Sequence, residues 1–336
     1  NDPFYQSKRQ LLFIILGSLS LMVCLLTPVQ VWQKQSPYLL LLALVLLVAV
    51  LVPGLGRSVN GSTRWIPIGS LSLQPSEFAK IAVVAFMAGY LVRQQHEIRN
   101  HFSGFSKSLV VLGAFIVLLL LEPDFGAVVV MMCAVLGMFF LGGMRKRHIS
   151  IVLVAAAALG AITIFAAEYR VKRLMTYLDP WGDPFGSGYQ LTQAQIAFGR
   201  GGWFGEGLGQ SMQKLFYLPE AHTDFVYSVL AEEWGAFGAL IVVALYGVLI
   251  VRGLHVGQKA ERLGRHFSAY LAYGLVLLIT AQAMINIGVN LGLLPTKGLT
   301  LPFVSYGGSS MLACASSLGI LLRISLENNT ESVGSS

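Results

Sequence analysis

The sequence predicts an all-α polytopic membrane protein, a bundle of helical spans carrying one large loop outside the membrane. Three observations predict it. Only 12% of the 336 residues are charged and 55% are hydrophobic, whereas a soluble domain carries about 25% charged residues. Mean hydropathy is +0.69. Apolar runs such as LLLLALVLLVAVLV (39–52) recur near the ~20-residue length a helix needs to cross the hydrocarbon. A closed β-barrel would instead show short alternating segments.

Nine spans are expected, at about 10–29, 37–53, 76–92, 107–121, 125–142, 148–167, 223–251, 266–292 and 302–323. The first two are uninterrupted apolar runs. QPSEFAK opens the third: Pro75 suits a helix start, Ser76 can cap, and Glu77 and Lys80 are an i,i+3 pair. EPDFG joins the fourth span to the fifth almost without a loop, and Asp124 could cap the fifth. The sixth follows Arg145, Lys146 and Arg147. PEAHTDF leads into the seventh. The eighth carries Asn286 and Asn290 four residues apart, a spacing that suits hydrogen bonds between helices. TKGLTLPFVSYGGSS precedes the ninth, with Pro295 and Pro302 breaking helix geometry. The expected organisation is one transmembrane domain over 1–336, a loop or lid at 168–222, and a cytoplasmic tail at 324–336.

Basic residues in short loops set the orientation. Loops 93–106, 143–147 and 252–265 hold most of them and fall on one side, the expected cytoplasm. The acidic groups collect on the other side. Asn1 then lies outside with Lys8 and Arg9 on the wrong face, so at least one helix is expected upstream. No signal-peptide pattern is visible at residue 1. The net charge of +7 reflects this loop bias and does not argue for nucleic acid. Cys24, Cys133 and Cys314 all fall in expected spans, with neither a disulfide framework nor metal-ligand spacing.

Loop 168–222 is too long for an ordinary connection and too aromatic for a disordered tether. YQLTQAQIAF reads as a short helix holding Gln190 and Gln193. The glycine-dense GRGGWFGEGLGQ is no dinucleotide fingerprint, because no strand precedes it. A lid or re-entrant element fits better.

The candidate functional groups gather on the outer side. Arg64 and Trp65 lie in the first outer loop. Lys80 is a turn into a span, where an ammonium needs a partner or a wet cavity. Glu122 ends an apolar run and has no capping role. Lys297 is a cation at the outer mouth, and Ser309 lies in the small-residue stretch beside it. Arg64, Lys80 and Lys297 together could hold a pyrophosphate. With a helix beginning at Thr223, Asp224 sits in its first turn. It is then either a dipole-stabilised helix start or a general base whose burial opposes the dipole. His222 would not face it on a regular helix, so no His–Asp dyad is expected. No nucleophile elbow appears, which leaves covalent acyl transfer unsupported.

NGSTRW, QPSEFAK, EPDFG, LPEAHTDF, AEEWG and LPTKGLTLPFVSYGGSS occur in an order and spacing that closely resembles the SEDS family (shape, elongation, division and sporulation). The resemblance runs from about Val52 to Arg323. Ala221 and Thr296-Lys297-Gly298 are more similar to its division-type than its elongation-type members. Such proteins have ten spans with both ends cytoplasmic, which agrees with an expected upstream helix. The resemblance implies a peptidoglycan glycosyltransferase at the septal inner membrane that polymerises lipid II on the outer face. It implies inversion at the donor sugar with undecaprenyl pyrophosphate leaving. Asp224 matches the family's acidic position and would be the base. Arg64, Lys80, Glu77, Glu122, Gln190, Gln193, His222, Lys297 and Ser309 would contact pyrophosphate or sugars. A divalent cation (Mg or Mn) could share the pyrophosphate, although no ligand cluster is visible. The implied partners are a class B penicillin-binding protein (FtsI) and the divisome proteins FtsQ, FtsL and FtsB. A lipid II flippase or a non-catalytic divisome scaffold are the competing readings. The outer clustering of polar groups disfavours the first, and the acid–base cluster the second.

Overall fold

A computed structural model describes residues 5–59, 62–69, 71–101, 103–165 and 168–334. Its helices are α1 (Tyr5–Leu26), α2 (Val29–Leu51), α3 (Pro75–Arg93), α4 (Gln95–Asn100), α5 (Ser103–Leu121), α6 (Phe125–Leu141), α7 (Lys146–Phe165), α8 (Glu168–Leu178), α9 (Tyr189–Gly201), α10 (Val226–Arg262), α11 (His266–Asn290) and α12 (Gly308–Gly334). Each expected span contains a helix. Among the described residues, seven helices are long and apolar enough to cross a membrane: α1, α2, α3, α5, α10, α11 and α12. The other two expected spans coincide with α6, which is apolar but shorter, and with α7.

The boundaries correct the sequence reading in five places. α2 begins at Val29, not at Pro37, and carries Pro37 inside it. Neighbouring helices and polar side chains make an internal proline tolerable in a membrane helix. α10 runs on to Arg262, so most of the expected basic loop 252–265 is helix. α12 starts at Gly308 instead of 302 and continues to Gly334 through the expected tail. α10 starts at Val226, which leaves Asp224 in the preceding turn. The expected first outer loop, not foreseen as regular, pairs as a small antiparallel ribbon of β1 (Arg57–Val59), β2 (Ser62–Ile68) and β3 (Leu71–Leu73) in the order β1-β2-β3. Trp65 pairs with Arg57, and Ile66 with Leu73. Strand pairing satisfies backbone groups that a loose loop would leave open.

Contacts divide the chain into two compact units. One holds Asn1–Lys146, Leu249–Ala281 and Gly307–Ser336, and the other Arg147–Val248 and Gln282–Tyr306. In the first, α1 packs along α12 and α2 along α3. Ser20 and Ser316 share a hydrogen bond of 2.6 Å across the α1–α12 seam, the small polar contact expected where lipid supplies no hydrophobic drive for helix association. α1 and α2 leave Leu19, Val23, Leu26, Leu41 and Val45 exposed, as spans turned toward lipid would. Glu327 ties the basic end of this unit together. It accepts the orphan N–H of Val29 at 3.0 Å, a bond from Arg323 Nε at 2.7 Å, and one from Arg265. A carboxylate at the start of α2 also suits its dipole.

The second unit contains α7, α8, α9, one end of α10 and the end of α11. Its core joins Ala194, Leu218, Phe225, Val229 and Val289, with Ala221 and Ile285 packed against it. Phe225 and Val229 carry the start of α10 onto α9, so the residues just before α10 stand on a packed base.

Glu327→Ala should cost on the order of 1–3 kcal/mol, because it strands two charged donors and a helix-start N–H. The thermal unfolding midpoint in detergent should drop clearly, and Glu327→Gln should recover part of the loss.

Candidate active site

Two polar constellations stand out, one in each unit. The first surrounds the turn between α5 and α6. Asp124 caps α6, accepting from Ala127 N–H at 3.2 Å, and it also accepts from Ser76 Oγ at 3.0 Å and Gln74 Nε2 at 3.4 Å. Its capping role is therefore as the sequence allowed. Arg64 turns its guanidinium onto the same turn. Nε donates to the Glu122 carbonyl at 3.0 Å and Nη2 to the Pro123 carbonyl, while Nη1 lies 3.9 Å from Asp124 Oδ1. A helix end leaves carbonyls without partners, and a guanidinium there satisfies them with favourable charge. Arg64 thus clamps a turn, a role its sequence position did not reveal. Lys80 and Glu77 form an ion pair of 2.9 Å, both side chains almost wholly buried. Ser309 accepts from Gln74 N–H at 2.8 Å and reaches the Ser72 carbonyl at 3.4 Å, which pins the β3–α3 corner to α12.

Glu122 is the exception in this group. It has no exposed surface, and neither carboxylate oxygen has a hydrogen-bond partner. Burial, reinforced by the neighbouring Asp124 charge and only partly opposed by Arg64, pushes its pKa up to about 8. Desolvation of this kind favours the neutral acid.

The second constellation is the turn Glu220–Phe225. Glu220 adopts φ 57°, and its carbonyl accepts the N–H groups of Thr223 at 3.1 Å and Phe225 at 3.3 Å. Three successive carbonyls are then taken by other segments. His222 O accepts Tyr306 N–H at 2.9 Å, and Thr223 O accepts Ser305 Oγ at 2.5 Å. Asp224 O accepts the amides of both Asn286 and Asn290, each at 2.9 Å. Asn290 also accepts from Ser228 N–H and Oγ at 3.1 and 2.7 Å, and Asn286 donates to Leu299 O at 2.5 Å. The two asparagines, expected only to join helices, therefore hold the Asp224 backbone.

Asp224 itself is half-buried. A Cβ added at Gly298 would lie 3.3 Å from its Oδ2, so the carboxylate rests against the segment that carries Lys297. His222 is exposed and meets the Tyr306 ring edge-on at 5.9 Å. Gln190 and Gln193 are half-buried on α9, and neither makes a side-chain hydrogen bond among the described residues.

Sequence reasoning underrated Glu232 and Glu233. Glu232 is buried and accepts from Ser211 Oγ at 2.5 Å and from the N–H groups of Met212 and Gln213 at 3.3 Å, with Arg200 Nε 3.6 Å away. Glu233 pairs with Lys214. α10 kinks beside them at Gly235, φ 70°. There the N–H groups of Ala236 and Phe237 turn to the carbonyls of Gly202 and Trp203. The glycine-dense loop is thus latched onto α10. Two carboxylates inside an apolar run were the available signal, by the same reasoning that singled out Lys80. Among the described residues, no group of three or more His, Cys, Asp or Glu side chains could hold a metal ion.

A polytopic helical fold with these ordered motifs defines the class, and the chain belongs to the SEDS family. The profile described as "Cell cycle protein", covering FtsW, RodA and SpoVE, matches residues 1–330. A Pseudomonas fluorescens protein named "Probable peptidoglycan glycosyltransferase FtsW" is 53% identical over 329 residues, 98% of this chain and 81% of the relative. A Legionella pneumophila protein of the same name is 49% identical over 335 residues, covering 99% and 85%. Among solved structures, a chain of a peptidoglycan synthase complex that coordinates polymerization and crosslinking matches with TM-score 0.81 and 30% identity, over 97% of this chain and 91% of that one. Thermus thermophilus RodA, a rod shape determining protein, matches with TM-score 0.70 and 27% identity, over 98% and 89%.

The Glu122 shift has a defined sign. Its folded pKa lies above the unfolded value, so its stabilising contribution is full below pH ~4.5 and is lost as pH rises to about 8. Glu122→Gln should therefore unfold at a higher temperature than the native chain above pH 8, and the gap should close toward pH 4.5. Unfolding midpoints measured across that range decide it.

Proposed function

We propose that this chain is a division-type peptidoglycan glycosyltransferase that polymerises lipid II, with Asp224 as the general base. The observation that carries this reading is the clamping of three successive carbonyls at 222–224. A base must be held within reach of the proton it removes, and a turn fixed by Tyr306, Ser305, Asn286 and Asn290 gives Asp224 that constancy. Two relatives near 50% identity that bear the glycosyltransferase name support the substrate class.

In the proposed step, Asp224 takes the proton of the acceptor N-acetylglucosamine 4-hydroxyl. The oxygen attacks C1 of the donor N-acetylmuramic acid from the face opposite the leaving group. The C1–O bond to undecaprenyl pyrophosphate breaks, and the α-linked donor becomes a β-1,4 link. No protein nucleophile is needed. Lys297, on the segment against which the Asp224 carboxylate rests, is the cation assigned to the leaving pyrophosphate, where fixed charge is worth most; Lys80 is buried in its pair with Glu77 and takes no such part. Arg64 acts through the turn it clamps. Gln190, Gln193 and His222 are assigned to sugar positioning, and Glu77 and Ser309 to holding Lys80 and the β3–α3 corner; Glu122 has no exposed surface and contacts no sugar. Among the described residues no cluster of His, Cys, Asp or Glu could hold a divalent ion, so no step is routed through one.

The reading extends to nine spans in this chain, an outer face bearing Asp224, and a place in the inner membrane at the septum. The proposed partner is a class B transpeptidase (FtsI), since the similar solved complex couples polymerization with crosslinking. The divisome proteins FtsQ, FtsL and FtsB complete the proposed assembly.

Asp224→Asn, purified with the transpeptidase, should lose at least ~100-fold of its polymer-forming rate on labelled lipid II. Unchanged polymer would remove Asp224 as the base, and no polymer from the native complex would favour a flippase or scaffold. Gly298→Val should also cut the rate, because its branched side chain would press on the carboxylate, while the unfolding midpoint should move little.

A further inference from the structure

The end of α10 remote from Asp224 carries a feature that glycosyl transfer does not use. α10 and α12 line a half-open cavity of ≈540 Å³ within one compact unit. Leu249, Leu318, Leu321 and Leu322 form one wall, and Arg252, His255 and Lys259 stand at the polar wall. We propose that this cavity binds an anionic membrane lipid, its phosphodiester headgroup at Arg252 and Lys259 and an acyl chain along the leucines.

Spacing comes first. Residues 252, 255 and 259 are three and four apart, so they share one face of α10. Lys259 is held in place, its Nζ donating to Asn329 Oδ1 at 2.7 Å. Asn328 Nδ2 donates to the Val256 carbonyl at 3.1 Å and fixes α12 against the same stretch. The polar wall is therefore built from both helices.

Charge comes second. Among the described side chains, the carboxylates on these helix ends are committed elsewhere: Glu261 accepts from the Tyr273 hydroxyl, and Glu327 from Arg265 and Arg323. Among the described residues, none pairs with Arg252 or Lys259. The cavity is cationic, and Arg252, His255 and Lys259 are exposed, so an anion can reach them.

Depth comes third. Residues 234–251 of α10 contain no charge, a run about 27 Å long at 1.5 Å per residue, which matches the hydrocarbon thickness. Arg252 is the first charge after it, so the cations stand at headgroup level and the leucines at acyl level. Charge distribution puts this end on the cytoplasmic side. Basic pockets between spans on that side are where acidic headgroups bind. A free phosphate would satisfy the cations but leave the leucine wall unused. The inference rests on the membrane reading of the helices and not on the proposed chemistry.

The test uses the full chain in detergent, loaded with phosphatidylglycerol or with phosphatidylcholine and analysed by native mass spectrometry. Phosphatidylglycerol should be retained preferentially. Arg252→Ala with Lys259→Ala should cut that retention by about 30-fold, roughly 5-fold per cation, while Arg145→Ala leaves it intact. Leu322→Trp, which fills the acyl wall and keeps the cations, should reduce retention of the lipid, and inorganic phosphate at millimolar concentration should not displace it. Equal retention of the two lipids, or a preference that survives loss of both cations, overturns the proposal. Displacement by inorganic phosphate overturns it as well, assigning the site to a free anion. Unfolding midpoints within a few degrees of the native chain qualify each variant, and Arg252→Gln with Lys259→Gln replaces the alanine pair if that one fails to fold.

Discussion

A chain that leaves its helix near a membrane must find partners for every carbonyl it frees, and the turn before α10 meets that demand three times in a row. Water cannot be relied on there, and an unsatisfied backbone group costs several kcal/mol. The carbonyls of His222, Thr223 and Asp224 are taken by Tyr306, Ser305 and the Asn286–Asn290 pair. Satisfying the backbone and fixing the carboxylate are thus one act. The segment 291–306 is bound into the same unit, which explains why a proline- and glycine-rich stretch is needed instead of a helix. A helix would spend its N–H groups internally and offer none to the turn.

The same demand shapes the rest of the chain. The α5–α6 connection would expose carbonyls and a helix-start N–H in a span-to-span turn; Arg64 donates to the carbonyls and the Asp124 carboxylate accepts the N–H. The kink at Gly235 frees N–H groups that the glycine loop receives. Glu327 does the equivalent for the start of α2. At the α5–α6 turn and at the start of α2 a charged side chain serves the backbone before it serves anything else. Such a group carries weak information about substrate.

This bears on what could be read beforehand. Asp124 as a cap, Glu77 with Lys80 as a pair, and a short helix over 189–198 all followed from local spacing, because each depends on residues close together in the chain. Arg64 resisted reading because its partners lie 58 and 59 positions away. The asparagine pair was seen to face one way but not to face Asp224. The ribbon at 57–73 was missed because the hydropathy that finds spans says nothing about short strands outside them.

Composition and run length by themselves determined that this is a helical membrane protein, and the ordered motifs determined its family. These follow from one-dimensional quantities: the thickness of hydrocarbon, the rise of a helix, and the order of residues. Only the tertiary structure decided where α10 begins, what holds Asp224, and that Arg64 clamps a turn. Those depend on hydrogen bonds between segments remote in sequence, and a donor's choice among distant acceptors is fixed by packing that no local pattern encodes.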